Sequence, residues 1–256
     1  MSSPRAALAW FRAWGRAVLF AFAAAAAALS FSAYTARTRA LAVRQVYHGA
    51  WPVLPGFTLF IAFLSLVVIQ ITISVAREFD LAQFALELVF RAVVLELVPL
   101  LTALYVALRS GAAINTEVAL MQMTGGLDEL RTSNIDPYER EFVPRIAAAV
   151  ISIFALSIVS CTVVMVIAYT VMYGYTPWGF AEYTRTVARV FGPAALAGLI
   201  VKCFAFGVVV AVIPIAAGLE ATRDAHSVPI AVMGGMVRLF VALALIELLA
   251  LAVQYV

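Results

Sequence analysis

Charged residues are scarce in this chain. Lys, Arg, Asp and Glu make up only 12% of its 256 residues, whereas 65% are hydrophobic. A soluble domain of this length needs more charged surface, so the composition predicts an all-α integral membrane protein. The net charge of +3 is small and the arginines are spread along the chain, so we expect no nucleic-acid partner.

Residues and motifs that carry catalysis or bind metals are also missing. The only two cysteines, Cys161 and Cys203, lie inside apolar runs and lack metal-ligand or redox spacing, which predicts neither a metal site nor a disulfide. No GxxxxGK[ST] sequence is present, so the chain cannot hydrolyse ATP through a P-loop. HExxH and GxSxG motifs are absent as well. We therefore expect a protein that is not an enzyme and has no cofactor of its own.

Long apolar runs predict five transmembrane helices, because about 20 apolar residues suffice to cross a membrane. Four of the predicted spans cover residues 51–76, 81–108, 146–173 and 190–218, and the last starts near Pro229 and runs to the end of the sequence. An outer turn over residues 174–179 would separate the third span from the fourth. We expect residues 51–256 to form one five-span domain.

Residues 1–50 differ from the rest, because a helix over residues 4–36 would place three arginines on one side and aromatic residues on the other. This pattern is typical of a helix that lies in the membrane interface. We interpret it as an interfacial elbow helix followed by a link. A signal peptide and a true span over residues 17–36 are the alternatives.

The distribution of positive charge predicts the topology. With the N-terminus inside, eleven of the 17 Lys and Arg residues fall in inner segments, three in outer loops and three within spans. Because inner loops carry the excess of positive charge, the long polar stretch over residues 109–145 is predicted to be cytoplasmic.

This polar stretch has the pattern of a short capped helix over about residues 124–133. Thr124 is a candidate N-cap, and Asp128 would favour the helix dipole in the first turn. Asn134 could form the C-cap, and Asp136-Pro137 would stop the helix.

An apolar stripe follows the same segment. Leu120, Met123, Leu127 and Leu130 recur at helical spacing, which suits a groove on a partner. The alternative is that the stripe packs against the ends of the chain's own spans.

The predicted spans contain six charged residues, which are costly there unless paired or functional: Glu87, Arg91, Glu96, Lys202, Arg238 and Glu247. Counting about 1.5 Å of rise per residue from the inner ends places Glu96 level with Lys202, and Arg91 level with Glu247. Arg238 has no acid at its level. We expect either structural ion pairs or a polar gate in a substrate cavity, and the sequence leaves both open.

The polar stretch resembles the signature of the MlaE/YrbE family, the permease subunits of Mce-associated ABC lipid transporters. The matching positions are Arg109, Gly111, Ala112, Glu117, Met121, Thr124, Asp128, Leu130, Asp136, Pro137, Pro144 and Arg145. Upstream, Val43-Arg44-Gln45 with Tyr47 and Glu96 with Pro99 are similar to further motifs of that family. Lys202 and Glu247 fall where the family carries a lysine and an acidic residue.

The sequence departs from the family pattern at several positions. Gly125-Gly126 replace a Glu-Gln pair at the start of the coupling helix. Gly234 stands where the family has an arginine in the last span, and Arg238, one turn later, is a candidate substitute.

The resemblance implies a homodimeric permease subunit in the bacterial inner membrane. Cytoplasmic ABC ATPase subunits would use the ATP, a ring of MCE-domain proteins would sit on the periplasmic side, and a STAS-domain protein could join them. The transporter would move phospholipid between the inner membrane and the MCE protein, as in the maintenance of outer-membrane lipid asymmetry. A stand-alone or ion-coupled lipid flippase is one alternative, and a purely structural membrane anchor for an outer complex is another.

Two sets of residues are expected to carry this function. Contact with the ATPase is expected at Glu117, Met121, Thr124, Leu127, Asp128, Leu130, Asp136 and Pro137. The substrate cavity and its polar gate are expected at Glu96, Lys202, Arg91, Glu247 and Arg238, with Val75 and Phe79 at the outer end of the first span.

Overall fold

A computed structural model describes residues 54–133, 137–222, 224 and 226–255. The predicted elbow helix and link over residues 1–50 lie outside this part of the chain. Asn134 and Asp136, the predicted end of the coupling helix, also lie outside it.

The described residues form helices and no strand, which confirms the predicted all-α class. Helix α1 is Leu54–Glu78. Helix α2 runs over residues 82–124 in five consecutive segments: Ala82–Val89, a π-helical Phe90–Leu97, Val98–Val106, a π-helical Ala107–Gly111, and Ala112–Thr124. Helix α3 is Gly126–Thr132, and α4 is Val143–Tyr173, preceded by a π-helical turn over Tyr138–Phe142. A 3₁₀ turn at Pro177–Gly179 leads to α5, Phe180–Val190, and the last two helices are α6, Pro193–Gly218, and α7, Ser227–Tyr255.

Four of these helices are long and apolar enough to cross a membrane. They are Leu54–Glu78, Arg140–Tyr173, Pro193–Gly218 and Ser227–Gln254. The second predicted span, residues 81–108, falls in α2, which is helical but alternates between α and π segments. Five spans therefore remain a prediction, whereas four are supported by length and hydropathy.

The ends of the helices follow from their local sequences. Asp80 adopts a left-handed φ of 56° in the turn between α1 and α2, a conformation that Asp tolerates better than most residues. Gly174, with a φ of 67°, ends α4. Extended Gly192 precedes Pro193, which occupies the first turn of α6, where its missing N–H costs no helical hydrogen bond.

Helix α6 packs against α2, α4 and α7, whereas α1 packs against α4 and the start of α2. Glycines allow the closest approaches of α6. A Cβ at Gly207 would lie 2.6 Å from Cα of Val150 on α4. A Cβ at Gly218 would lie 2.8 Å from Cβ of Val118 on α2. These contacts hold the three helices together around the site described below.

Helix α5 carries Arg185 and Arg189, which the charge count assigns to an outer loop, so this predicted loop is helical. Its signal is present in the sequence: Phe180, Tyr183, Val187 and Val190 recur at helical spacing on one side. Tyr183 is buried, and its hydroxyl donates a 2.9 Å hydrogen bond to the carbonyl of Met165. Burial raises the pKa of Tyr183 to about 12, so the hydroxyl stays protonated at physiological pH.

Candidate functional site

The centre of the candidate site is the ammonium group of Lys202, a buried residue on α6. Its Nζ contacts the carboxylate of Glu96 on α2, and it lies 3.0 Å from a carboxylate oxygen of Glu247 on α7. A third acceptor, the carbonyl oxygen of Leu95, lies 3.4 Å away. The predicted pairing of Glu96 with Lys202 is thus present in the structure. This Lys202 cluster joins three helices through side chains that a membrane interior would otherwise disfavour.

The cluster contains two carboxylates and one ammonium group, and all three residues are buried. Oε1 of Glu96 and Oε2 of Glu247 have no hydrogen-bond partner within the described ranges, so each carboxylate keeps a buried acceptor oxygen. Buried polar groups normally find partners, and one that does not is often tied to function. The arrangement can therefore hold helices together and still receive a polar group of a substrate.

The helix that carries Glu96 is π-helical at this point. The segment Phe90–Leu97 includes both Arg91 and Glu96, and the backbone N–H of Val98 bonds to the carbonyl of Val93, five residues earlier. In an α-helix, residues five apart are rotated by about 140°, at about 100° per residue. The i→i+5 bonding of a π-helix brings them nearly above one another. Arg91 and Glu96 therefore lie about one turn apart on α2, with Arg91 beside Glu87 and Glu96 on Lys202 of α6.

The predicted pairing of Arg91 with Glu247 is wrong. Arg91 binds Glu87, one turn earlier on the same helix, with an Nη2–Oε1 distance of 3.0 Å. Arg189 of α5 reaches the other oxygen of Glu87 at 3.8 Å. Residue counting assumes that the inner ends of all spans lie at the same depth in the membrane. It also ignores the reach of long side chains. Glu247 consequently meets Lys202, although residue counting puts Lys202 at a lower level.

Arg238 has an acidic partner that residue counting does not provide. Its guanidinium forms two hydrogen bonds with the carboxylate of Glu220, at 2.9 and 3.3 Å, and a third with the carbonyl of Gly234 at 3.2 Å. Glu220 lies just beyond the end of α6, in the loop that leads to α7. Gly235, two turns into α7, lies beside Ala217 at the end of α6, so Arg238, about one turn later, is still close to that loop.

Another ion pair holds the two ends of the polar stretch together. Arg145, buried at the start of α4, lies 3.1 Å from Glu117 on α2 and 3.4 Å from Glu141. Its Nε and Nη1 have no hydrogen-bond partner among the described residues. Both Glu117 and Arg145 match the family signature, but nothing in their spacing indicates that they pair. This contact holds the end of α2 and the start of α4 together on either side of α3.

The caps of the short helix α3 differ from the prediction. Thr124 is the last residue of α2, and its hydroxyl donates to the carbonyl of Leu120 at 2.9 Å, so it is not an N-cap. Gly125, with a φ of 80°, ends α2 instead, and its carbonyl accepts the backbone N–H groups of Asp128 and Glu129. The flexible glycine places the joint between the two helices one residue later than expected.

The residues expected to contact a partner lie on different sides of this segment. Leu127 is buried in a cluster with Ile114, Val118 and Ile146, so at this position the stripe packs against the chain's own helices. Met121 and Leu130 pack partly against the same cluster. The exposed side chains are those of Glu117, Leu120, Thr124, Asp128 and Glu129, and Pro137 is buried.

The remaining predicted residues, Val75 and Phe79, are exposed at the outer end of α1 rather than buried beside Lys202.

Cys161 and Cys203 are free thiols. Among the described residues, no three His, Cys, Asp or Glu side chains come together in a way that could hold a metal ion. The candidate site therefore consists of the ion pairs described above.

Comparison with known proteins places these features in a family. The family described as Permease MlaE matches residues 42–253. A probable ABC transporter permease of Rickettsia conorii is 28% identical over 182 residues, which cover 66% of this chain and 70% of that protein. A probable ABC transporter permease of Synechocystis is 30% identical over 136 residues, which cover 52% and 51% of the two chains.

A shorter match of higher identity is to the permease MlaE of the intermembrane phospholipid transport system of Haemophilus influenzae. It is 42% identical over 72 residues, which cover 28% of each chain. The family match extends over most of the chain and includes the Lys202 cluster, the Arg145 ion pair and α3. The chain therefore belongs to the MlaE permease family, whose members are multi-pass proteins of the inner membrane.

Proposed function

We propose that the chain is the membrane subunit of an ATP-driven transporter that moves phospholipid between the inner membrane and a periplasmic MCE protein, as in the maintenance of outer-membrane lipid asymmetry. Two copies would form a homodimer, with ABC ATPase subunits on the cytoplasmic side and a ring of MCE-domain proteins opposite. A STAS-domain protein would join the ATPase side. ATP would bind to the ATPase subunits and not to this chain.

One observation carries the mechanism: α2 is a continuous helix from the coupling segment to the buried charges. Glu96 and Thr124 lie 28 residues apart on α2, which corresponds to roughly 42 Å at 1.5 Å per residue. The Arg145–Glu117 pair ties the inner end of α2 to the start of α4. A push on α3 would therefore move α2 and α4 together, and the movement would reach Glu96.

The Lys202 cluster would act as the polar gate of the lipid path. Closing of the ATPase subunits would tilt α2, which changes the distance between Glu96 and Lys202 and leaves α6 and α7 joined by the contact with Glu247. Exposed apolar side chains at the outer end of α1, including Val75 and Phe79, would face acyl chains or the second copy.

A stand-alone or ion-coupled lipid flippase is the second candidate, favoured by the two carboxylates that share one lysine. Such a pair could exchange a proton during transport. The two candidates differ in energy source. Lipid transport by the chain in vesicles that is driven by a proton gradient without ATPase subunits would support the flippase.

The first test is co-purification of the tagged full chain from its native membrane, with partners and lipid identified by mass spectrometry. We expect an ATPase subunit, an MCE-domain protein and phospholipid. Charge reversal of exposed Asp128 on α3 should remove the ATPase subunit and abolish lipid-coupled ATP hydrolysis. Glu182→Arg, the same reversal on α5 at the other end of the molecule, should retain both. Retention of the ATPase subunit by the Asp128 variant would contradict the docking role of α3.

A further inference from the structure

Two arginines share one carboxylate at the end of the molecule opposite α3. Arg91 donates from Nε and Nη2 to Glu87, with Nε at 3.1 Å and Nη2 at 3.0 Å from Oε1. Nη1 of Arg189 lies 3.8 Å from Oε2 of the same side chain. Two guanidinium groups therefore lie beside a single carboxylate.

The guanidinium groups keep donors for a further anion. Each arginine has five N–H donors. Nε and Nη2 of Arg91 face Oε1 of Glu87, whereas Arg189, at 3.8 Å, forms an ion pair without a hydrogen bond. The side chains of Arg91 and Arg189 are 41% and 67% exposed, so the remaining donors are within reach of a ligand. Two adjacent guanidinium groups match the several oxygens of a phosphate group.

The surroundings indicate where this phosphate would come from. Phe84 and Leu88, which flank Glu87 on α2, are exposed, as is Phe180 at the start of α5. Trp178, in the turn before α5, is 90% exposed. Exposed aromatic and apolar side chains beside arginines are typical of the level at which lipid headgroups meet acyl chains. A free phosphate ion would gain nothing from these apolar neighbours, whereas a lipid would use them for its chains.

We infer that Arg91 and Arg189, held in place by Glu87, form a binding site for the phosphate of a lipid headgroup at the outer end of α2. The inference deepens the proposed function, since it assigns one position on the lipid path. Arg91 and Glu96 lie five residues apart in the π-helical segment of α2. A lipid bound at Arg91 would thus lie one helical turn from the Lys202 cluster.

Native mass spectrometry of the purified full chain tests this inference. The probes are phosphatidic acid and diacylglycerol with the same acyl chains, which differ only in the phosphate. We expect the chain to retain phosphatidic acid in preference to diacylglycerol. Arg189→Gln and Arg91→Gln should each weaken this binding by roughly fivefold to tenfold, because each removes a charge-assisted contact. Arg185→Gln is the matched control, since it removes the same charge from α5 one turn earlier.

Each alternative gives a distinct result that would overturn the inference. Equal binding of the two lipids would exclude phosphate recognition. Equal weakening by the Arg185 variant would indicate general attraction to a basic surface instead of a site. Complete displacement of phosphatidic acid by inorganic phosphate would indicate a site for small anions. Unchanged lipid binding by the Arg91 and Arg189 variants would exclude both arginines from the lipid site. Because no ATPase subunit takes part, failure here leaves the proposed coupling through α3 unaffected.

Discussion

At the scale of single residues, the three members of the Lys202 cluster are not equivalent. Lys202 contacts both Glu96 and Glu247, whereas neither carboxylate has a second cation among its described contacts. Loss of one carboxylate leaves a lysine that still has an acidic partner. Loss of the lysine leaves two buried carboxylates without a counterion, which is the more costly state in an apolar surrounding.

The order of stability of two variants should reflect this difference. Lys202→Met, which keeps much of the side-chain volume, should lower the free energy of unfolding by about 3 kcal/mol or more. Glu247→Gln should cost roughly 1 kcal/mol, because the amide oxygen can still accept from Nζ. Thermal unfolding of the purified chain in detergent would measure both. An equal loss in the two variants would show that Lys202 is not the shared partner.

Residue counting along the spans predicts some of the ion pairs between single residues and misses others. Depth along the helix correctly places Glu96 beside Lys202, because both lie near the middle of their helices. It fails for Arg91 and Arg238, whose acids lie one turn away or beyond a helix end. Their long side chains reach past the level of their own Cα atoms, and this reach is not visible in apolar periodicity.

At the scale of the elements, hydrophobic runs predict the long helices but not their interruptions. The π-helical segments Phe90–Leu97 and Ala107–Gly111 carry the same kinds of residues as the α-helical turns around them. Their conformation depends on packing against neighbouring helices, so the sequence of one helix does not reveal it. The amphipathic helix α5 is visible in the spacing of its apolar residues, but it is short enough to resemble a loop between two spans.

The joint between α2 and α3 is the element that this chain builds differently from the family pattern. Gly125 has a left-handed φ of 80°, which a residue with a Cβ adopts at a cost. At Gly126, the first residue of α3, an added Cβ would meet nothing closer than the carbonyl oxygen of Met121, at 3.6 Å. The two adjacent glycines therefore have different roles: the first sets the angle between the helices, and the second does not.

Alanine substitutions should separate these roles. Gly125→Ala should destabilise the α2–α3 joint by about 1–2 kcal/mol, because of its left-handed backbone. Gly126→Ala should be neutral or slightly stabilising, since alanine favours the helix. Amide hydrogen exchange across residues 126–132 would report the local stability, and faster exchange is expected only in the Gly125 variant. Similar exchange in the two variants would show that the angle at Gly125 does not hold α3.

At the scale of the whole molecule, the ion pairs divide into three levels. Arg145 with Glu117 and Arg238 with Glu220 lie at the end that carries α3, the Lys202 cluster lies within the bundle, and Arg91 with Glu87 lies toward the opposite end. Helix α2 contributes a residue at all three levels, at Glu117, Glu96 and Arg91. This single helix therefore connects the predicted cytoplasmic segment, the buried charges and the proposed headgroup site.

This arrangement requires α3 and α5 to lie on opposite sides of the membrane, as the count of positive residues predicts. Single cysteines at exposed Thr132 on α3 and exposed Thr184 on α5 test it, in a chain whose Cys161 and Cys203 are replaced by alanine. A membrane-impermeant maleimide should label the Thr184 variant in intact spheroplasts. The Thr132 variant should be labelled only after the membrane is permeabilised. The two sites are matched threonines at helix surfaces, so a difference in labelling reports their sides. Labelling of the Thr132 variant in intact spheroplasts would show that the topology is the reverse of the predicted one. Helix α3 would then be out of reach of a cytoplasmic ATPase.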